Sequence, residues 1–588
     1  MKAIMVMFDS LNKKYLSVYG NQWVKTPNFD RLAKKTVMFN NFYAGSLPCM
    51  PARRELHTGR YNFLHRSWGP IEPFDDSMPE ILKKNNVYTH IVSDHTHYWE
   101  DGGATYHNRY NTWEISRGQE GDHWKGNVAD PNIPDSICNY KLSDLWRQDW
   151  VNRQYLDEEE KQPQALTFKN GLEFIERNKE QDNWFLQIET FDPHEPFFTQ
   201  QNYKDLYPHD YNGKHHDWPD YSKVIENQET IQHVKYEYAA LVSMCDNYLG
   251  KVLDMMDKYS MWEDTMLIVN TDHGFLLGEH EWWGKNIQPF YNEIVNLPFF
   301  IWDPRLKIKN ITRNALTQTI DIAPTLLEFF NVQIPKDMEG KPLKETIRSD
   351  KKIREGALFG MAGGHINVTD GRYIYMRAPV STDNTPHFEY TLMPTHMNQL
   401  FQANEFIGME LSQPFSFSKQ CRLMKLHSTN YINPYWYGTM LFDLSKDPEQ
   451  HNGYRDYEVE KDLIKLMGDL MKLNDAPVEQ YERIGIKANG DMTVEEIERV
   501  EIEKINNEKV ELGNNIIFDR EAEKALLFIL SYSKKEQREQ MIIVFRGMLE
   551  EMKAKVVTIK HIEQFVKKVI PEPMNMMLLK FMKQMIEI

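Results

Sequence analysis

Five short apolar runs constrain the fold of this 588-residue chain more than any other feature. Four of them end at an acidic residue: KAIMVMF before Asp9, VYTHIVS before Asp94, NWFLQIETF before Asp192 and DTMLIVNT before Asp272; the fifth is LPFFIW. Each run is rich in β-branched or aromatic residues and lacks polar alternation, as strands buried on both faces do. Helical patterns separate them. The sequence therefore predicts an α/β fold with a large, mostly parallel sheet sandwiched by helices.

Polar side chains follow several of these runs directly. Ligands of such sheets bind at the carboxyl ends of the strands, so we expect Asp9, His95, His194, Asp272 and His273 on one rim. Taken singly, each of these residues could equally be a turn former or a helix cap rather than a ligand-binding residue. Taken together, Asp9, Asp272 and His273 are compatible with a divalent ion. The oxygen-rich set favours Ca²⁺, Mg²⁺ or Mn²⁺ over zinc.

The pattern changes twice along the chain, which predicts three parts. Residues 1–350 carry the strand–helix alternation and are predicted to form the largest domain, which also contains the candidate site residues. Residues 351–483 contain a hairpin with an Asp-Gly turn, a further strand and a helix, which indicates a smaller α+β subdomain. Residues 484–588 open with a capping box at Thr493 and Glu496 and continue as charged helices with Met-rich apolar faces. This helical appendage is expected to pack on the chain or to mediate a homo-oligomer.

Charge and cysteine usage exclude several classes of protein. The net charge is −17 and no basic run interrupts it, so we expect no nucleic-acid partner. No apolar run is long enough to span a membrane, and the first run indicates a strand rather than a secretory signal. We therefore expect a cytoplasmic protein without a membrane partner. The four cysteines are scattered and form no CxxC pair, so neither a zinc site nor a disulfide framework is indicated.

The segment SLPCMPARRELHTGRY, residues 46–61, contains the most unusual cysteine. A free cysteine is commonly a buried, inert thiol. Here Pro48 and Pro51 flank Cys49, and Arg53 and Arg54 follow it, which indicates a more specific role.

This segment, C-x-P-x-R followed by L-x-T-G-R, closely resembles the signature of the sulfatases in the alkaline-phosphatase superfamily. Five more segments resemble that family in the expected order: KTPNFDRLAKKTVMFNNFYAGSLPC, DPHEPF, TDHGFLLGEHEWWGK, TQTIDIAPTLLEFF and LFDLSKDPEQ. The resemblance spans roughly residues 1–480. It implies an alkaline-phosphatase-like fold and hydrolysis of a sulfuric ester.

The resemblance also implies cofactors. In sulfatases the matching cysteine, here Cys49, is oxidised after translation to formylglycine, whose hydrate is the nucleophile. A formylglycine-generating maturation enzyme reads the surrounding segment and would be a partner of this chain. Asp9, Asp272 and His273 match metal ligands, joined by the modified Cys49. Metal coordination makes the attacking oxygen more anionic.

Further roles follow position by position from the resemblance. Arg53 matches the arginine that steadies the nucleophile, and Lys285 matches the lysine that binds the anionic oxygens. His194 matches a histidine near the leaving group, a candidate general acid. Among the residues after the second run, His95 is the first choice for the side chain that points inward, and His97 is the second.

Because of two departures from the family pattern, the resemblance does not determine whether the central atom of the ester is sulfur or phosphorus. Ser10 stands where many sulfatases have a second aspartate, and no lysine accompanies His95. Similar sites occur in the phosphonate monoester and phosphodiester hydrolases of the same superfamily. The first hypothesis is a sulfatase acting on a small sulfate ester such as a sulfated sugar. The aromatic loops HYWEDGGATYHNRYNTW and GEHEWWGK either line the substrate pocket, where their rings would stack on the sugar, or only pack against neighbouring loops. The alternatives are a phosphonate monoester or phosphodiester hydrolase, and a non-catalytic binding protein with an unmodified Cys49.

Overall fold

The structure, a computed structural model, describes residues 1–138, 143–428, 432–507, 516–533, 535–572 and 574–586. Its largest element is an eight-stranded sheet. The strands in chain order are β1 Lys2–Phe8, β2 Val37–Phe39, β3 Tyr88–Ser93, β4 Thr112–Ile115, β5 Trp184–Thr190, β6 Thr265–Thr271, β7 Phe300–Trp302 and β8 Ile311–Arg313.

Across the sheet the strands follow the order β8-β2-β7-β6-β1-β5-β3-β4. Every neighbouring pair is parallel except the two pairs that involve β7. The strand β1 lies near the middle, with Phe8 opposite Thr190 of β5 and Thr271 of β6. The carboxyl ends of these three strands therefore meet at one edge, as the sequence predicts.

Both faces of the sheet are buried. Along β1, Met5 belongs to one apolar core and Val6 to the other, so successive side chains pack against opposite helical layers. One layer contains the helices Pro27–Lys35, Pro163–Asn178 and Gln228–Lys258. The other contains Cys49–Thr58, Met78–Lys84, Ile322–Phe329 and Lys344–Ser349. The predicted sheet sandwiched by helices is confirmed.

Shorter elements complete this region. Its remaining helices are Ala104–His107, Asp144–Arg153, Gln201–Lys204 and Asn292–Val295. Its short strands are Phe42–Tyr43, Ser222–Lys223, Leu276–Leu277, Trp282–Gly284 and Thr317–Gln318.

A second, antiparallel sheet follows along the chain. Its strands are Ala357–Gly360, Ile366–Thr369, Tyr373–Arg377 and Met440–Asp443, and the helix Tyr457–Leu473 packs on it. The predicted hairpin is present, and Gly371 adopts a φ of 94° at its turn, a conformation that favours glycine. A small three-stranded sheet contains Phe388–Thr391, Glu410–Leu411 and Met424–His427. The boundaries at 350 and 483 stay predictions.

The C-terminal region is helical. Its elements are the helices Val494–Asn507, Arg520–Ser531, Lys535–Glu551, Ile559–Val569 and Met574–Ile586 and the short strands Ile517–Phe518 and Val556–Val557. The predicted capping box is confirmed, since the Glu496 backbone N–H donates to Thr493 Oγ1 at 3.3 Å and the Thr493 N–H donates to Glu496 Oε2 at 3.0 Å. Residues 508–512, which the sequence assigns to the same helix, lie outside the described residues.

The last four of these helices share one apolar core with Tyr435 and Trp436, so at least this face packs on the rest of the chain. Other apolar side chains of the same helices face solvent, including Ile543 at 63% and Val544 at 45% exposure. In the part of the chain that the structure describes, each helix is too short or too polar to cross a bilayer. The cellular location stays a prediction.

We expect self-association through this exposed face, because two adjacent β-branched side chains on a charged helix gain free energy when they are buried. The double substitution Ile543→Lys/Val544→Lys should reduce the mass that light scattering measures. The substituted side chains are not part of the apolar core around Trp436, so the double substitution should leave that core intact. An equal mass for the variant and the original chain would contradict the prediction.

Candidate active site

Three carboxylates meet one arginine at the carboxyl edge of the central strands. Asp9 follows β1, Glu189 lies near the end of β5, and Asp272 follows β6. Arg53 reaches them from the helix Cys49–Thr58: its Nε donates to Glu189 at 2.7 Å, its Nη1 to Asp272 at 2.7 Å and its Nη2 to Asp9 at 3.0 Å. All four side chains are at most 1% exposed. The arginine therefore ties the helix to three strands at once.

Cys49 lies at the first position of that helix, directly above the carboxylates. Its Sγ lies 3.2 Å from His273 Nε2, 3.4 Å from Lys285 Nζ and 3.9 Å from Asp9 Oδ1. His273 Nδ1 donates to the carbonyl of Gly274 at 3.0 Å, so in a neutral ring its Nε2 presents a lone pair to the cysteine. The geometry places a ligand nitrogen, a cation and a carboxylate around one side chain.

The charges of this cluster fit a divalent cation. Burial disfavours ionisation of Asp9, but Lys285 and Arg53 outweigh it and hold the pKa of Asp9 well below its ordinary value. Burial and the adjacent Asp9 raise the pKa of Asp272 to about 8. One ionised and one protonated carboxyl is the expected state of such a pair without a further positive charge. Asp9, Cys49, Asp272 and His273 present ligand atoms within 4.8 Å of one another. This donor set could hold the predicted metal.

The structure distinguishes His95 from His97. His95 is fully buried and its Nε2 lies 3.5 Å from Asp9 Oδ2, whereas His97 lines the open cavity. The His97 backbone N–H donates to His95 Nδ1 at 3.3 Å, so the proton of a neutral His95 ring is on Nε2. Within the described residues, this buried Nε2 makes no hydrogen bond. The Asp9 carboxylate is the acceptor that it faces.

Lys285 and His194 line the cavity that opens at Cys49. Lys285 also donates to Ser10 Oγ at 3.1 Å, and although burial disfavours its charge, Cys49 and Asp9 raise its pKa above the ordinary value. His194 Nδ1 donates to the Glu195 carbonyl at 2.6 Å. Burial lowers the pKa of His194 to about 4, so without a bound anion the ring is neutral near pH 7.

A cavity of about 800 Å³ opens above Cys49, with His194 and Lys285 in its wall. Its other lining side chains include aromatic rings, the cation of Arg117 and several carboxylates: Trp68, Trp99, Tyr221, Glu100, Asp101, Glu120 and Asp122. The first predicted substrate loop thus contributes to the wall. Of the second loop, GEHEWWGK, only Lys285 lines the cavity, because Trp282 and Trp283 are buried in the apolar cores.

Two residues of the site were not anticipated from sequence. Glu189 is an acid inside an otherwise apolar run, and that mismatch is a signal for a buried ion pair. Tyr221 lines the cavity and its hydroxyl donates to Glu195, but it comes from an irregular loop and carries no comparable signal. Ser10, the departure from the family pattern, donates its hydroxyl to Asp9 Oδ1 at 2.8 Å.

The fold, and the rim on which carboxylates, histidines, Arg53 and Lys285 surround Cys49, define a hydrolase of the alkaline-phosphatase-like class. Comparison with protein families narrows the class: the Sulfatase family matches residues 2–332, and the C-terminal region of N-sulphoglucosamine sulphohydrolase matches residues 278–406. The chain belongs to the sulfatase family and is an enzyme of the sulfuric ester hydrolase type. It is 25% identical over 446 residues to an arylsulfatase of Clostridium perfringens, with 68% of this chain and 90% of that protein covered.

Solved structures share the fold. One was determined in complex with its substrate D-glucosamine-2-N,6-O-disulfate; its TM-score is 0.56 at 16% identity, and the match covers 80% of this chain and 98% of that one. The phosphonate monoester hydrolase of Agrobacterium radiobacter also has a TM-score of 0.56, at 17% identity, with 82% and 96% covered.

The contacts of Arg53 predict a large loss of stability for Arg53→Met. The variant keeps most of the side-chain length but leaves three buried carboxylates without their shared cation, which should lower the free energy of unfolding by about 3–5 kcal/mol. Denaturant unfolding measures the change. The matched control is Arg31→Met, whose exposed ion pairs with Asp254 and Asp257 should contribute less than about 1 kcal/mol. Equal losses for the two variants would contradict the assignment.

Proposed function

We propose that the chain hydrolyses a sulfate monoester with an oxygen nucleophile derived from Cys49. The observation that carries the proposal is the convergence on Cys49 Sγ of His273 Nε2 at 3.2 Å and Lys285 Nζ at 3.4 Å. The thiol itself is a poor nucleophile there, because burial and Asp9 raise the pKa of Cys49 well above its ordinary value. Formylglycine at this position would supply, as its hydrate, one hydroxyl whose oxygen attacks the sulfur and displaces the alcohol. Deprotonation of the second hydroxyl would then expel sulfate as the aldehyde reforms. A formylglycine-generating enzyme is the proposed maturation partner.

The residues that would hold the metal are Asp9, Asp272, His273 and the converted Cys49. The lowered pKa of Asp9 and the raised pKa of Asp272 support a cation between the two carboxyl groups. The oxygen-rich set favours Ca²⁺, with Mn²⁺ and Mg²⁺ as alternatives. A bound divalent ion would let both carboxylates ionise and would increase the acidity of nearby hydroxyl groups.

The remaining residues have separate roles in the proposed reaction. Arg53 holds the carboxylates in place, and its Nη1 also donates to the Cys49 carbonyl at 3.0 Å, which fixes the start of the helix. Lys285 and the Nε2–H of His95 donate to the non-bridging oxygens of the ester. The negative charge of the bound ester favours protonation of His194 at Nε2. The leaving oxygen then takes that proton.

We propose a sulfated sugar as the substrate. The cavity combines aromatic rings with carboxylates, and this combination suits a sugar ring that stacks on one wall while its hydroxyl groups donate to the acids. The structural neighbour solved with a glucosamine disulfate supports the same class. The acidic side chains of the wall disfavour a polyanion, so a sugar with few sulfate groups fits best.

The alternative is a phosphonate monoester or phosphodiester hydrolase with the same nucleophile. Ser10 supports it, because a neutral hydroxyl occupies the place of a second carboxylate beside Asp9. A panel of aryl sulfates, sugar sulfates, phosphodiesters and phosphonate monoesters separates the two proposals by kcat/KM. A preference for the phosphorus esters of tenfold or more would favour the alternative.

We expect Cys49→Ala to abolish sulfate release, because no other group in the site occupies the nucleophile position. Mass spectrometry of the peptide that contains residue 49, from protein made in the native host, should show the aldehyde or its hydrate. The control is Cys421→Ala, which removes an exposed cysteine and should leave activity unchanged. Active native enzyme that carries an intact thiol at position 49 would contradict the mechanism.

We expect Trp99→Ala to raise KM for a sugar sulfate about two- to tenfold with little change in kcat, because stacking of the ring contributes about 0.5–1.5 kcal/mol. Trp99 is 48% exposed in the cavity wall, whereas the control residue, Trp113, is 42% exposed outside it. Steady-state kinetics of both alanine variants measure the difference. An unchanged KM for Trp99→Ala would argue against a ring on this wall without affecting the assignment of the nucleophile.

A further inference from the structure

A second group of potential metal ligands lies outside the active-site cavity, on the long helix Gln228–Lys258 and the loop before it. His233 and Glu237 are separated by four residues and therefore face the same side of the helix. His215 approaches them from the loop. The ligand atoms of these three residues lie within 4.8 Å of one another. His233 and Glu237 are buried, at 6% and 4% exposure, so the cluster is not a chance grouping of surface side chains.

Hydrogen bonds fix the protonated nitrogen of His233. His209 Nδ1 lies 2.8 Å from the carbonyl of Tyr207, and because a carbonyl only accepts, this nitrogen carries the proton. In the neutral ring, His209 Nε2 is then an acceptor, and it lies 2.9 Å from His233 Nδ1. His233 must donate from Nδ1. Its Nε2 therefore presents a lone pair on the other side of the ring.

The second histidine is oriented in the same way from the opposite side. His215 Nε2 lies 3.5 Å from Asp217 Oδ2, so its N–H points at a carboxylate. Its Nδ1 lies 3.1 Å from His233 Nε2 and 4.0 Å from Glu237 Oε1. Two nitrogen lone pairs and a carboxylate oxygen thus converge. In neutral rings this arrangement is repulsive unless a positive charge lies between the three atoms.

We propose that His215, His233 and Glu237 form a second metal site that binds Zn²⁺. Two imidazoles and one carboxylate are a usual zinc ligand set, and zinc tolerates a solvent molecule as the fourth ligand. An adjacent cavity of about 650 Å³, partly lined by His215 and Glu237, gives access from solvent. Lys204 Nζ contacts Glu237 Oε2 at 2.6 Å, which leaves Oε1 for the metal.

The partners of the two histidines match the outer contacts that metal-bound imidazoles make. A ligating histidine commonly donates its other N–H to a carbonyl, a carboxylate or another acceptor, which fixes the ring. His209 accepts from His233, and Asp217 accepts from His215. Asp217 is itself held by Arg153 at 2.6 Å.

The site would join the long helix to the segment that carries His194. The His215 backbone exchanges hydrogen bonds with the segment 136–138, at 2.7 and 2.8 Å. The Asp217 carbonyl accepts from the Phe197 N–H at 2.7 Å, three residues after His194. The ion would therefore tie the loop to the helix, and its removal would loosen the loop without removing an active-site ligand.

The test uses the full chain after chelation and dialysis, with saturating Ca²⁺ present so that Zn²⁺ is not measured at the active site. Isothermal titration with Zn²⁺ should show one equivalent bound. His233→Gln should weaken this binding at least tenfold, and Asp272→Asn, in the other site, should leave it intact. His427→Gln, an exposed histidine elsewhere, is the matched control. Co²⁺ in place of Zn²⁺ should give the strong visible absorption of a four-coordinate site.

Glu237→Gln keeps the shape of the side chain and replaces His233→Gln if that variant does not fold, as circular dichroism would reveal. Zinc binding that survives both substitutions would overturn the proposal. So would zinc binding that disappears only in Asp272→Asn. The absence of any zinc binding would also overturn the proposal. In that case a proton shared by His215 and His233 would satisfy the same contact.

Discussion

The contact between Arg53 and three carboxylates is the interaction on which the catalytic rim depends. Neighbouring parallel strands lie about 4.8 Å apart, so the carboxyl groups at their ends are brought together whether or not their charges are compatible. Removing a guanidinium from water costs several kcal/mol, and three ion pairs offset that cost. The arginine thereby sets the height of its helix above the sheet. Cys49, one helical turn earlier, is positioned by the same contact.

The rim carries more negative charge than Arg53 neutralises. Lys285 supplies one further positive charge, and Asp272 still has a raised pKa. This excess of negative charge favours the binding of a divalent cation at the rim. The cluster around His215 and His233 follows a different logic. Hydrogen bonds orient its two imidazoles, and the ion proposed there is correspondingly softer.

The sequence predicts the central sheet and much of the rim because both depend on local pattern. Asp9 and Asp272 directly follow buried strands, and chain position alone brings them together at a parallel edge. Glu189 was missed because it lies within its strand, where the direction of each side chain depends on register. The residues of the cavity wall are harder still to predict from sequence, because residues such as Tyr221 come from irregular loops whose partners are distant along the chain. The sequence already ranks His95 before His97, and the backbone path after β3 explains why His95 lies beside Asp9 while His97 lines the cavity.

The helix that begins at Cys49 has a consequence for how this protein is made. All ten of its residues, Cys49–Thr58, are buried in the finished fold. An enzyme that converts Cys49 by reading Pro51 and Arg53 has no access to them once the sheet and helices have closed. Under the proposed maturation, conversion would compete with folding, and the interval before closure would set the fraction of active molecules. Each molecule would gain or miss the modification of Cys49 during synthesis. A population that folds too quickly would contain permanently inactive molecules, because later exposure to the converting enzyme could not modify them.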